Sequence, residues 1–380
     1  MGRKHNRLFV VAMVAMAVLI ALTGCSSAIS LRTLVPAEVN VSGYKTIAVQ
    51  STAYDYSPSD LWWRNFFIPI RGNVDERYIN DLTQFTLFDG TTPSTVTRYA
   101  SNNLVKAIDK GFFDIKSPNL TDSLITVGKN LGTVRQTLLD NGVDALLTSN
   151  ISYMNYDEYI TSEPVYAKDS KTTIVGYRFY LTQRATISLT YSVIDVENNV
   201  VIGNDTLTRS CGPYTTLIGH TDDSMKYVVD RYNFGLTRAS ELFEDLVDEF
   251  VWDITKKLTP HYETSYFELM SNKPKEKSVE QAYKYVDDEN YRTALDLFVA
   301  EYNRSGHVPS GYNAAILYYT LGQYEDAFTL AKAVYDRSGN SKALELYYRL
   351  KDVRDRQLAA SEQINSTTKA SPSKGELIGF

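Results

Sequence analysis

The side chains whose types could do chemistry are few and scattered. Four histidines occur, His5, His220, His261 and His307, far apart, with no cysteine partner and no H-E-x-x-H spacing, so the sequence predicts no metal centre. Asp222-Asp223 and Asp287-Asp288-Glu289 place carboxylates side by side, as a general acid and base would need, but short acidic runs in loops are ordinarily solvated faces. There is no G-x-S-x-G elbow, no Walker loop and no G-x-G-x-x-G. The expectation is a protein that is not an enzyme and uses no cofactor. Of the two cysteines, Cys211 reads as a small buried hydrophobe. Cys25 is different: it follows Leu22-Thr23-Gly24 at the end of an uncharged apolar stretch from Leu8, itself preceded by Arg3, Lys4 and Arg7. A basic region, a short apolar core and small residues describe a cleaved secretory signal.

With cysteine at the position after the small pair, this segment resembles the lipobox of bacterial lipoproteins, whose thiol is acylated and becomes the new N-terminus. The apolar stretch is shorter than the ~20 residues a transmembrane helix needs. Several acyl chains at about 0.8 kcal/mol per buried methylene make such an anchor effectively permanent. The resemblance implies that membrane contact runs through lipid on Cys25. Ser26 in place of Asp then implies transfer to the outer membrane, and the absence of acidic residues over Ser26 to Ser30 implies a periplasm-facing body. Removal of residues 1–24 takes away three bases and no acid, so the net charge moves from -6 to -9. That balance argues against nucleic acid as a partner.

The elements that must carry any function change character near residue 260. Thr46 to Thr52 is a short β-branched run of buried-strand type. Thr95 to Lys110 has apolar residues at helical spacing behind Pro93-Ser94, Phe112 to Ile115 reads as a strand, Val134 to Leu139 as a helix, and Ala145 to Ile151 as a strand. The period then becomes two over Thr173 to Asp195 and Val200 to Thr208, joined by the turn Asp195-Val196-Glu197-Asn198-Asn199, and a helix over about Leu236 to Lys257 closes the domain. The predicted class is α+β, a mixed and largely antiparallel sheet with helices on one face, followed by an all-α helical array.

Lys45-Thr46-Ile47-Ala48-Val49, the stretch from Asn103-Leu104-Val105-Lys106-Ala107 to Gly111-Phe112-Phe113, Val143-Asp144-Ala145-Leu146-Leu147 and Tyr191-Ser192-Val193-Ile194-Asp195 occur in an order that resembles the CsgG-like and TolB-N-terminal-like periplasmic domains, over roughly residues 40 to 210. With the lipobox and the helical tail, the whole chain resembles a family of outer-membrane lipoproteins with C-terminal tetratricopeptide (TPR) repeats, which brings no known activity with it.

The helical array shows a repeat. Ala282, Tyr285, Tyr291, Ala294 and Phe298 recur 33 positions later as Ala315, Tyr318, Tyr324, Ala327 and Ala331. That is one short of the TPR period, with small residues where paired helices cross and aromatics between pairs. Leu321-Gly322-Gln323-Tyr324 matches the inter-helix turn of those repeats, whereas Asp288-Glu289-Asn290 in the first unit lacks the glycine. Ala343 to Arg356 is expected to cap the open face. The predicted boundaries are a signal peptide over 1–24, a lipidated tether over 25–40, an α+β periplasmic domain over 41–260, a TPR-like domain over 278–357 and a disordered tail over 358–380.

One aromatic segment stands apart. Tyr54, Tyr56, Trp62, Trp63, Phe66, Phe67 and Ile68 crowd a stretch punctuated by Pro58, Pro69 and Gly72. It either folds back as a satellite core or offers Trp62, Trp63, Phe66 and Phe67 to a partner or a membrane interface. Taken together, the sequence predicts a membrane-anchored, non-catalytic module that binds or scaffolds a protein or peptide. The alternative is an oligomeric, CsgG-like outer-membrane secretion or assembly component, in which Tyr177 to Val193 supplies a lipid-facing strand.

Overall fold

The structure, a computed structural model, describes residues 28–55, 70–71, 89–108, 112–128, 130–221, 227–229 and 237–368. Cys25, the aromatic residues Tyr56 to Ile68 with Trp62, Trp63, Phe66 and Phe67, and Asp222-Asp223 lie outside them. The chain divides into two compact units, one spanning Ala37–Pro260 with the end of the last helix, the other combining the N-terminal strand with His261–Glu362.

The first unit is built on a sheet of strand order β4-β2-β5-β6-β7-β8, with β3 also paired to β5. Its strands are β2 (Thr46–Val49), β3 (Ala53–Tyr54), β4 (Asp114–Lys116), β5 (Ala145–Tyr166), β6 (Ile174–Asp195), β7 (Val200–Thr221) and β8 (Tyr227–Val229). β2 runs parallel to both β4 and β5, while β5, β6, β7 and β8 are antiparallel neighbours. All four residues of β2 are buried, as a strand enclosed on both faces must be. Asp144 fixes its start, accepting the backbone N–H groups of Lys45 (2.7 Å) and Thr46 (2.8 Å).

Helix α1 (Pro93–Ile108) lays Val96, Ala100, Leu104 and Ile108 on one face of this sheet, and α4 (Ala239–Leu258) adds Leu242, Phe243, Leu246, Phe250 and Ile254. They meet Ile47, Val49, Leu147, Ile187, Leu189 and Val193. Burying each of the valine, leucine, isoleucine and phenylalanine side chains among these contributes on the order of 2 kcal/mol. Helices cover both faces of this sheet, not the single face the sequence suggests. Helices α2 (Pro118–Gly128) and α3 (Leu131–Asp140) pack on the opposite side, where Leu138, with Leu124, Ile125 and Val134, joins Ala48, Leu146 and Val196. Alternation along β2 makes the reason plain, since Ile47 and Ala48 point to opposite faces and both are fully buried.

The second unit opens with β1 (Ala28–Val35), which pairs antiparallel with β9 (His261–Glu268) from Ala28↔Glu268 to Val35↔His261. A 3-10 turn (Lys277–Val279) then leads into α5 (Glu280–Asp287), α6 (Tyr291–Ser305), α7 (Val308–Thr320), α8 (Tyr324–Ser338) and α9 (Ser341–Thr368). Ile29 and Phe267 from the ribbon enter the same core as Phe298, Leu317 and Leu350. α7, which packs against both α6 and α8, is apolar nearly all round, as a fully enclosed helix is.

Two segments read as loose are ordered. Eight residues of the expected tether 25–40 form β1, and α9 continues to Thr368, well into the expected tail. The two segments also hold each other: Gln363 accepts the Ala37 N–H (2.8 Å) through Oε1 and donates to the Ala37 carbonyl (3.2 Å) through Nε2. Among the described residues no helix is long and apolar enough to cross a membrane.

Candidate functional site: the helical array and its clamped loop

The recurring residues occupy equivalent places. Ala282, Ala294, Ala315 and Ala327 are all fully buried, at 0% exposure, where only a methyl group fits between crossing helices. Tyr285, Tyr291, Tyr318 and Tyr324 are half-buried and pack against the same core. Aromatic edges join the pairs, with Tyr283 and Phe298 centroids 5.1 Å apart and Tyr319 and Tyr324 4.9 Å apart. The turns match as well. Gly322 adopts φ +77°, and Glu289, at the corresponding position of the first pair, adopts φ 57° despite its side chain. The first pair therefore makes the same turn at a conformational cost that glycine avoids.

Sequence reasoning missed the polar cluster at the start of this array. Asn313, on α7 and fully buried, accepts the Met270 N–H through Oδ1 (2.8 Å) and donates through Nδ2 to the Met270 carbonyl (2.9 Å) and to the Tyr283 hydroxyl oxygen (3.0 Å). The Tyr283 hydroxyl donates to the Met270 carbonyl (2.7 Å), and burial pushes its pKa up to about 12. His307 sits 3.0 Å from the Pro274 carbonyl through Nε2 and 2.7 Å from the Ser310 hydroxyl through Nδ1. A carbonyl only accepts, so Nε2 carries a proton and donates it to Pro274.

Next to it the nearly enclosed Glu301 accepts from the hydroxyls of Ser278 (2.6 Å) and Ser305 (2.5 Å) and from Arg304 (2.6 Å). These hydrogen bonds, those from Ser278 and Ser305 foremost, hold its carboxyl down to about 2. Asn272 closes the segment on itself, accepting the Glu276 N–H (2.9 Å) and donating to the Glu276 carbonyl (2.7 Å). The loop between β9 and α5 is thereby fastened at Met270, Asn272, Pro274 and Glu276. Asparagine, histidine and serine in or at the start of a helical pattern are the only trace such a clamp leaves in sequence, and the loop partners of Asn313 and His307 lie 43 and 33 positions away.

The remaining candidates do not converge. His261 stands at the head of β9 beside Glu263 (3.3 Å), His220 lies exposed near the end of β7, and His307 serves the clamp. Among the described residues no group of histidine, cysteine and carboxylates could hold a metal ion. Asp287 ends α5, and Asp288 and Glu289 form the turn after it, all three exposed. Cys211 is half-buried against the sheet core, and burial pushes its thiol up.

No family model matches the chain, and no curated protein matches it. Among solved structures it is similar to the protein of the PelC dodecamer from Paraburkholderia phytofirmans, at 12% identity over 61% of this chain and 97% of that one, with a TM-score of 0.24. It is similar to lipoprotein GNA1162 from Neisseria meningitidis, at 10% identity over 55% of this chain and 97% of that one, with a TM-score of 0.24. The LpoB C-terminal domain from Salmonella enterica is similar at 11% identity over 45% of this chain and 85% of that one, with a TM-score of 0.21. Scores of this size do not establish a shared fold.

Proposed function

We infer that this chain is an envelope lipoprotein held to the outer membrane by acyl chains on Cys25, facing the periplasm, whose α+β unit and TPR-like array bind or scaffold a protein or peptide without catalysis. The observation that carries the reading is the doubled helical hairpin. Ala282 and Ala294 in one pair and Ala315 and Ala327 in the next are all fully enclosed, and Glu289 and Gly322 take the same left-handed turn. Hairpins stacked in this way leave one side open to an extended or helical segment. The array also presents Tyr348, 61% exposed, an amphipathic aromatic of the kind that anchors contacts. His307, Asn313 and Glu301 are engaged with partners inside the fold, which fits positioning better than turnover.

A photo-crosslinking residue in place of Tyr348, activated in intact cells, tests this reading. One discrete adduct with another protein supports it, and an adduct with nothing but lipid, or none at all, contradicts it. A secretion-type oligomer is less well supported. Over Ala185 to Val193 the apolar face of β6 is buried against α1 and α4. The opposite face carries hydroxyls paired across to β7, Thr186 with Ser210 (2.9 Å), Ser188 with Thr208 (2.8 Å) and Thr190 with Thr206 (2.9 Å). That leaves no apolar face for lipid in this stretch.

A further inference from the structure

The lipid anchor and the fold are separated by almost nothing. Three residue steps lead from Cys25 to Ala28, the first residue of β1, a reach of about 11 Å even when fully extended. β1 runs away from the anchor and the antiparallel β9 returns to it, so Glu268, paired with Ala28, ends its strand at the anchored end of the ribbon. The chain leaves that end through the loop fastened by Asn313, Tyr283, His307 and Asn272. These bonds hold the loop's backbone, and with it the points from which its exposed side chains leave.

Those side chains include Lys273, Lys275 and Lys277, all exposed. The nearby carboxylates are Glu268 at the ribbon's end, Glu276, which meets Arg304 (3.4 Å), and Glu280, which meets Lys275 (3.1 Å). Lys273 and Lys277 have no carboxylate within ion-pair distance among the described residues. In a mature chain of net charge -9, two exposed ammonium groups without a carboxylate partner, on the loop that leaves the anchored end of the ribbon, are free to meet an anionic surface from outside.

We propose that the anchored end of the β1–β9 ribbon and the loop from Leu269 to Val279 seat directly on an anionic phospholipid surface, with Lys273 and Lys277 against the headgroups. This rests on acylation of Cys25 and adds to it that the array works on the bilayer, with no reach away from it. The lipid anchor supplies proximity, and each lysine near an anionic surface shifts the seated over the lifted population about fivefold.

The test supplies the anchor artificially. The chain from Cys25 onward, carrying Cys211→Ser, is coupled through its remaining thiol to a maleimide phospholipid in vesicles of phosphatidylethanolamine with either phosphatidylglycerol or phosphatidylcholine. Acetylation of Lys275 by a water-soluble amine reagent is then read by peptide mass spectrometry. Seating predicts at least a fivefold slower modification on phosphatidylglycerol than on phosphatidylcholine, abolished by Lys273→Glu with Lys277→Glu, both exposed and outside the core. Equal rates on the two surfaces, or protection that survives the double substitution, overturn the proposal. The mass of the protein from its own membranes separates the two readings. An unacylated Cys25 overturns the natural anchor, while the vesicle result still decides whether the loop seats.

Discussion

Two polar arrays in this molecule look alike and differ in consequence. On the part of the sheet face that α2 and α3 do not cover, Thr186, Ser188 and Thr190 of β6 hydrogen-bond in register with Ser210, Thr208 and Thr206 of β7, in contact with water. In the helical unit, the buried Asn313, His307 and Glu301 and the half-buried Tyr283 make bonds of similar length with far less access to water. A hydroxyl lost from the first array is replaced by solvent, so each bond is worth little. A partner lost from the second leaves a buried backbone group unsatisfied. The sheet face can therefore vary freely, while the clamp fixes the geometry of one loop.

Ways to break this contrast run from large to small. Phe298→Ala, which empties the aromatic heart of the helical core, should cost about 3–5 kcal/mol in chemical denaturation, setting the scale for that unit. Asn313→Ala should cost about 2–3 kcal/mol, because the Met270 N–H and the Tyr283 hydroxyl both lose a partner. A loss below that of a surface residue would dissolve the distinction between the two arrays. Glu289→Gly should stabilise by about 1 kcal/mol, since glycine takes the left-handed turn without strain. Thr190→Val, breaking one rung of the sheet ladder, should change stability by less than about 0.5 kcal/mol.

The pH dependence sharpens the same comparison. Glu301 has a folded-state pKa lowered from 4.5 to about 2. Its contribution is fully present above the unfolded value and is lost as pH falls from 4.5 toward about 2. Glu301→Gln should flatten the fall in stability of the helical unit over that window, and an unchanged acid profile would refute the role of the Ser278 and Ser305 hydroxyls.

What the sequence revealed follows the same line between regular and singular features. Periodicity located α1, β6 and α4 to within a few residues, since their buried faces repeat at 3.6 or 2. The doubled hairpin was legible because Ala282 and Ala315, with Tyr291 and Tyr324, keep one spacing. β5 runs to Tyr166 where the sequence suggested Ile151, because a register shift between Ile151 and Tyr153 interrupts the alternation and Glu158 then takes a buried position that the pattern assigns to an apolar residue. α2 escaped notice, its start marked by Ser117-Pro118. β1 could not be foreseen, as its partner β9 lies over 200 residues away, and the clamp consists of single residues without any period.

The most direct test of the whole account is the intact mass of the protein purified from native membranes. A lipid anchor predicts a chain beginning at Cys25 with acyl mass on that residue, released from the membrane by detergent and not by salt. A chain that keeps residues 1–24, or a Cys25 bearing a free thiol, would contradict it.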